Sequence, residues 1–167
     1  MDSLSDAARK AFADVLHPVP EQDSTDFEKA LRGVDAPFVV GVGFLGARVD
    51  HALAVFSHMA RRSGPPVVLL SEDDAVTICP AVADLETVEG DRVSLWPLAP
   101  VRMTSRGLHW PLDGLQLAPD GRVGTSNRAE GAVRLTTDGP CLLILDVDRF
   151  DVALRAVAGL GTPPGPL

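Results

Sequence analysis

Two short stretches set carboxylates beside cations at spacings that suit phosphate chemistry. Gln22-Asp23-Ser24-Thr25-Asp26-Phe27-Glu28-Lys29 brackets a helix start with Asp23 and Asp26 and places an ammonium one turn further on. Two carboxylates at such a start can hold Mg2+, a hard cation that takes oxygen ligands and keeps several waters. Arg48-Val49-Asp50-His51 then puts a guanidinium and a carboxylate two residues apart. Each stretch also has a plainer reading. Thr25 and Glu28 make a capping box, and acids in a first turn complement the helix dipole. Arg48 and Asp50 can form a local surface ion pair, which is worth little. The plainer reading leaves Gln22-Asp23 and Lys29 unexplained.

Between them lies Gly41-Val42-Gly43-Phe44-Leu45-Gly46, a G-x-G-x-x-G. Three uses stay open: a dinucleotide pyrophosphate cradle at a helix N-terminus, a tight strand-to-helix turn, or a turn that presents Arg48 and Asp50 to a phosphate. The dinucleotide use, an NAD-binding protein, expects further βα units downstream. Further on, Gly107-Leu108-His109-Trp110 and Thr125-Ser126-Asn127 offer an indole and three polar side chains. A Trp among strands is core or else a flat platform for an aromatic ligand. Thr-Ser-Asn reads first as a turn. Asp2-Ser3 reads first as a frayed terminal acid. There is no G-x-x-x-x-G-K-[ST], so Asp146 after Leu142-Leu143-Ile144-Leu145 reads as a plain strand end.

The elements that must carry these groups change character along the chain. Leu4, Ala8, Ala11 and Val15 recur at helical spacing behind Ser3 or Ser5. A helix over 26–32 closes at Gly33. Phe38-Val39-Val40 and Val67-Val68-Leu69-Leu70 read as buried strands, joined by a helix with Val49, Leu53, Phe56 and Ala60 on one face. This alternation predicts parallel strands with a helical crossover. After Ser71, Val76/Ile78, Val93/Leu95 and Val133/Leu135 alternate with polar neighbours between frequent turns, the grammar of antiparallel strands. The expected organisation is α/β followed by all-β. A truncated Rossmann-like layer would occupy 1–72 and an antiparallel β-sandwich 73–147. A short helix and a disordered tail would fill 148–167.

Composition narrows the partners. The 167 residues are 46% hydrophobic and 23% charged, which excludes a fully disordered chain. Fifteen Lys+Arg against 23 Asp+Glu give a net charge of −8. Such a surface disfavours nucleic acid and anionic membrane, so an anion must be bound by a few local groups. No apolar run approaches the ~20 residues of a spanning helix, and no leader pattern opens the chain. A cytoplasmic protein is expected, with Cys79 and Cys141 as buried, reduced thiols.

Taken in order, the motifs resemble those of the thiamine pyrophosphokinase family. The resemblance is carried by Asp2-Ser3, Gln22-Asp23-x-Thr25-Asp26-Phe27-x-Lys29, Gly46-x-Arg48-x-Asp50-His51, Val93-Ser94-Leu95-x-Pro97-Leu98, Gly107-Leu108-x-Trp110-x-Leu112 and Thr125-Ser126-Asn127. It implies an α/β catalytic domain joined to a β-rich thiamine-binding domain, working as a homodimer. It implies transfer of a pyrophosphoryl group from ATP to thiamine, giving thiamine diphosphate and AMP. By position, Asp2, Asp23 and Asp26 would form the acidic Mg2+ cluster with Gln22 beside them. Asp23, Asp26 and Asp50 would be the catalytic carboxylates. Lys29 and Arg48 would face the phosphates, with Asp50 orienting Arg48 or binding metal. Trp110, Ser126 and Asn127 would belong to the thiamine pocket. The family places Asp-Ser at the end of a Gly-Asp-x-Asp-Ser turn, whose first Asp has no counterpart here. Low transfer activity is therefore expected, with a non-catalytic thiamine- or nucleotide-binding homologue as the alternative.

Overall fold

The computed structural model describes residues 5–15, 19, 21, 23–46 and 48–159. Asp2, Gln22 and the tail after residue 159 lie outside the described residues, so the expectations placed on them have no structural counterpart here. The chain forms two compact units, Met1–Arg32 and Gly33–Leu167.

In the first unit, helix α1 (Asp6–Ala11) starts at Ser5, whose Oγ accepts the Ala8 N–H at 3.2 Å. Helix α2 (Asp26–Leu31) starts at the expected capping box. Thr25 Oγ1 accepts the Glu28 N–H at 3.2 Å, and Glu28 Oε2 accepts the Thr25 N–H at 2.8 Å. Phe27 and Leu31 are its buried residues.

The second unit opens with β1 (Val39–Val42), α3 (Val49–Arg61) and β2 (Val67–Leu70), a β-α-β unit in which Val39 pairs in parallel with Val67. Gly41 lets the two strands approach, because a Cβ there would stand 2.6 Å from Leu69 Cδ2. The pairing direction then reverses at a tight turn, where Ser71 Oγ accepts the Asp74 N–H at 2.9 Å. Strand β3 (Asp74–Ile78) runs antiparallel to β2. No second βα unit follows β2, so the dinucleotide use of the glycine turn lacks the strands it needs.

The remaining strands are β4 (Val82–Leu85), β5 (Arg92–Pro97), β6 (Val101–Leu108), β7 (Gln116–Leu117), β8 (Gly124–Thr137) and β9 (Cys141–Asp146), followed by α4 (Phe150–Ala158). Among the described residues all nine strands join one mixed sheet in the order β1-β2-β3-β9-β5-β8-β6-β7, with β4 also on β8. The change of period at Ser71 is thus a change of strand direction inside a continuous sheet.

Strand β8 organises the β-rich part. Its first residues pair with β5, Asn127 opposite Val93. Its last residues pair with both β4 and β6, Leu135 opposite Ala83 and Ser105. The register with β6 slips between Arg106 and Leu108. Gly107 occupies that slip at φ 80°, and a Cβ on it would sit 2.2 Å from the Ala132 carbonyl oxygen. Only glycine fits so close an approach. The bulge turns Leu108 into the core and leaves Trp110 outside.

Three expectations about burial are corrected. Strand β1 is an edge strand among the described residues, so Val40 is 40% exposed rather than buried, and Val42, two residues on, is 72% exposed. Helix α3 buries Val55 and Met59 instead of the stripe through Val49 and Leu53, both of which face solvent. In β5 the residues Val93, Ser94 and Leu95 are all buried, because this strand lies inside the sheet and is covered on both faces. Alternation holds in the far half of β8, where buried Val133 and Leu135 flank exposed Arg134. A hydrophobic cluster drawn from β2 to β9 together with Val152 and Ala153 of α4 forms the core of the β-rich part.

Candidate functional site

The segment after β6, the β7–β8 connection and the start of β8 line an open cleft of about 490 Å3. That volume is within the ~300–1,000 Å3 typical of small-molecule sites. Trp110, Ser126 and Asn127, far apart in sequence, all line it. Leu112, Leu115 and Leu117 supply an apolar wall.

Asn127 is the fixed point of this cleft. It is 4% exposed, and its amide makes three hydrogen bonds to backbone groups. Its Nδ2 donates to the Trp110 carbonyl at 2.7 Å, and its Oδ1 accepts the Trp110 N–H at 3.1 Å and the Arg128 N–H at 2.9 Å. The Asn127 side chain therefore positions the segment that carries the indole. The indole itself is 56% exposed, and its ring meets His109 edge-on at 4.6 Å. His109 Nδ1 is in turn 2.8 Å from Glu130 Oε1. Trp110 is thus a surface residue and not a core residue. Thr125-Ser126-Asn127 belongs to a strand and not to a turn.

The acidic and basic candidates occupy separate settings. In the first unit Glu21, which the sequence reading passed over, is the hub. Its carboxylate accepts the N–H groups of Asp23 (2.7 Å) and Ser24 (3.1 Å), bonds the Ser24 hydroxyl, and pairs with Arg32 at 3.1 Å. The Ser24 hydroxyl bond, more than any other contact, holds the Glu21 carboxyl below its usual range. Lys29 Nζ donates to the Glu21 carbonyl at 2.6 Å, so the ammonium is tied to the loop before the helix. An acid that folds back onto its own loop three residues later is the signal that could have marked Glu21. In the second unit Arg48 and Asp50 form a two-point pair, Nη2 to Oδ2 at 2.6 Å and Nε to Oδ1 at 3.2 Å. That bond holds the Asp50 carboxyl below its usual range. Among the described residues no group of three His, Cys, Asp or Glu is placed to hold a metal ion. Asp146 accepts from Arg92, which also reaches Asp74, and so ties the ends of β3, β5 and β9. Cys79 and Cys141 are free and buried, and burial pushes each thiol up to about 12.

A mixed sheet, with a β-α-β unit at one end and antiparallel strands at the other, carries at its β-rich end a small cleft with Trp110 in its lining. Residues 81–142 match the family model "Thiamin pyrophosphokinase, vitamin B1 binding domain". The chain is 28% identical over 159 residues to thiamine pyrophosphokinase 1 of Oryza sativa subsp. japonica, covering 83% of this chain and 60% of that protein. It is 23% identical to thiamine pyrophosphokinase 1 of Arabidopsis thaliana, covering 84% and 59%. Its fold is that of the thiamine pyrophosphokinase of Bacillus subtilis, at a TM-score of 0.69, 19% identity, and coverage of 87% of this chain and 74% of that one. The chain is thus similar to thiamine pyrophosphokinases in sequence and in fold, and the family-model match is to their vitamin B1 binding domain. It spans about three fifths of the length of the curated relatives it matches.

Proposed function

We propose that the protein acts as an ATP-dependent thiamine pyrophosphokinase, converting thiamine and ATP to thiamine diphosphate and AMP. The observation that carries the reading is the cleft of Trp110, Ser126 and Asn127 within the segment that matches the vitamin B1 binding domain. Trp110 offers a π-face to the rings of thiamine, and a thiazolium cation over an indole gains a further cation–π attraction. Ser126 and Asn127 supply the polar edge.

In the reaction the thiamine hydroxyl oxygen bonds to the β-phosphorus of ATP. The bond from that phosphorus to the bridging oxygen breaks, and the oxygen leaves with AMP. The protein's part is positioning and charge stabilisation. Lys29 and Arg48 are the cations proposed to face the phosphates. Asp23 and Asp26, two carboxylates at one helix start with no side-chain partner among the described residues, fit in kind a Mg2+ that also takes phosphate oxygens. When bound, that ion would neutralise phosphate charge. Asp50, already tied to Arg48 and held below its usual range, suits an orienting role better than that of proton acceptor. That leaves Asp23 or Asp26 to take the hydroxyl proton. Residues 1–72 would form the catalytic part and 73–147 the thiamine-binding part. A homodimer in the cytoplasm completes the reading, and the exposed apolar Val42 on the edge strand supports an association surface.

The test is AMP release from ATP·Mg2+ in the presence of thiamine, beside Asp26→Asn, with calorimetry of thiamine binding. Release that depends on thiamine and falls at least about 100-fold in Asp26→Asn supports the reading. Thiamine binding without AMP release would make the chain a thiamine-binding homologue. Binding of NAD and not thiamine would overturn both.

A further inference from the structure

We propose that Arg122 is an anion anchor of the same cleft, so that the cleft holds thiamine diphosphate more tightly than thiamine. The inference rests on the thiamine reading and adds to it the charge state of the preferred ligand. The lining contains one guanidinium, that of Arg122, and no carboxylate. Thiamine carries a permanent positive charge on its thiazolium ring. A cleft with a guanidinium and no carboxylate leaves the Trp110 indole as the group that offsets the charge of free thiamine. The same cleft is matched to a thiamine whose hydroxyethyl arm ends in phosphate.

The placement of Arg122 fits that role. It lies in the β7–β8 connection, where its carbonyl accepts the Ala118 N–H at 2.9 Å and the Gly121 N–H donates to the Ala118 carbonyl at 3.0 Å. Its backbone is therefore held, while its side chain has no hydrogen-bond or ion-pair partner among the described residues. Elsewhere in this unit Arg92, Arg134, Arg149 and Arg155 each end on a carboxylate, while Arg102 and Arg106 share with Arg122 the lack of a side-chain partner among the described residues but do not line the cleft. A guanidinium offers a planar fork of donors that matches phosphate oxygens two at a time. On a chain with a net charge of −8, such a local cation is what an anionic ligand requires. Thiamine diphosphate would then compete with thiamine for the cleft and leave it slowly.

The experiment is a titration of the full chain, without ATP or Mg2+, against thiamine, thiamine monophosphate and thiamine diphosphate, in the native protein, Arg122→Ala and Arg122→Lys. Arg122 is exposed on a connection between strands, and unchanged thermal midpoints will show that both variants fold. Thiamine diphosphate should bind at least about tenfold tighter than thiamine to the native protein. In Arg122→Ala that advantage should vanish while thiamine binds as well or better, since a like charge has gone. Arg122→Lys should keep part of it, as a point charge without the fork. Thiamine binding with no diphosphate preference, or a preference that survives Arg122→Ala, overturns the anchor alone. Failure of all three ligands to bind overturns the thiamine reading and the anchor with it.

Discussion

Ser126 gives its backbone N–H to the hydroxyl oxygen of Ser94 at 2.8 Å, and it does so from the left-handed region, at φ 57°. Ser94 is buried, and it lies where the β5–β8 register slips between Val93 and Leu95. A non-glycine residue held at positive φ costs on the order of 1–3 kcal/mol and persists because its surroundings determine it. Ser94 is that determinant, and through it the cleft edge at Ser126 is set.

Ser94→Ala should therefore leave the Ser126 N–H without its acceptor and release the strained backbone. We expect a stability loss of about 1–2 kcal/mol, and thiamine affinity should fall along with it. Urea denaturation and calorimetry on the same preparation check both. Unchanged affinity would show that Ser126 keeps its place without the bond.

Asn127→Ala removes one side chain and strands three backbone groups, on Trp110 and Arg128. Leaving buried polar groups unpaired costs about 1–3 kcal/mol each where water cannot reach them. The expected loss is about 2–3 kcal/mol, since part of this segment is exposed. Trp110→Ala should behave oppositely, with stability nearly unchanged and thiamine binding lost. Comparing the two by chemical denaturation separates the scaffold from the platform.

Gly107→Ala is expected to be the most damaging single change in the β-rich part. The added methyl would meet the Ala132 carbonyl at 2.2 Å, on a backbone at φ 80°. Strain and overpacking together should cost about 3 kcal/mol or more. The thermal midpoint should drop steeply, and the soluble yield with it.

The two thiols give a pH signature. Each folded-state value lies near 12, against 9.0 for the unperturbed thiol. The folded state therefore keeps protons that the unfolded state gives up. This contribution to stability is fully present below pH 9 and is lost as pH rises from 9 towards 12. Thiol-specific reagents at pH 8 should modify neither cysteine in the folded protein and both in denaturant. Fast labelling of native protein would contradict the burial.

Much of this was legible along the chain. The capping box at Thr25 and the change of strand direction at Ser71 are local events, written in neighbouring residues. The grouping of Trp110 with Ser126 and Asn127 was legible only through the order of motifs, because no spacing brings residues 16 apart into one cleft. What could not be read depends on topology. Val40 and Val42 have the composition of a buried strand, yet they lie exposed because β1 ends the sheet. Val93-Ser94-Leu95 loses its alternation because β5 lies within it. Arg122 and Glu21 are marked by their partners, or by lacking them, and no pattern of residue types announces that.

Strand β8 is one 14-residue element whose beginning holds Thr125, Ser126 and Asn127 and whose end holds Val133 and Leu135 in the core. A site on a surface loop can open alone, but this one cannot move without disturbing pairings with β4, β5 and β6. Amide hydrogens at the cleft, such as the Ser126 N–H, should then exchange on the timescale of global unfolding and not of local fluctuation. A bound ligand would slow exchange along the whole strand, including residues far from any contact with it.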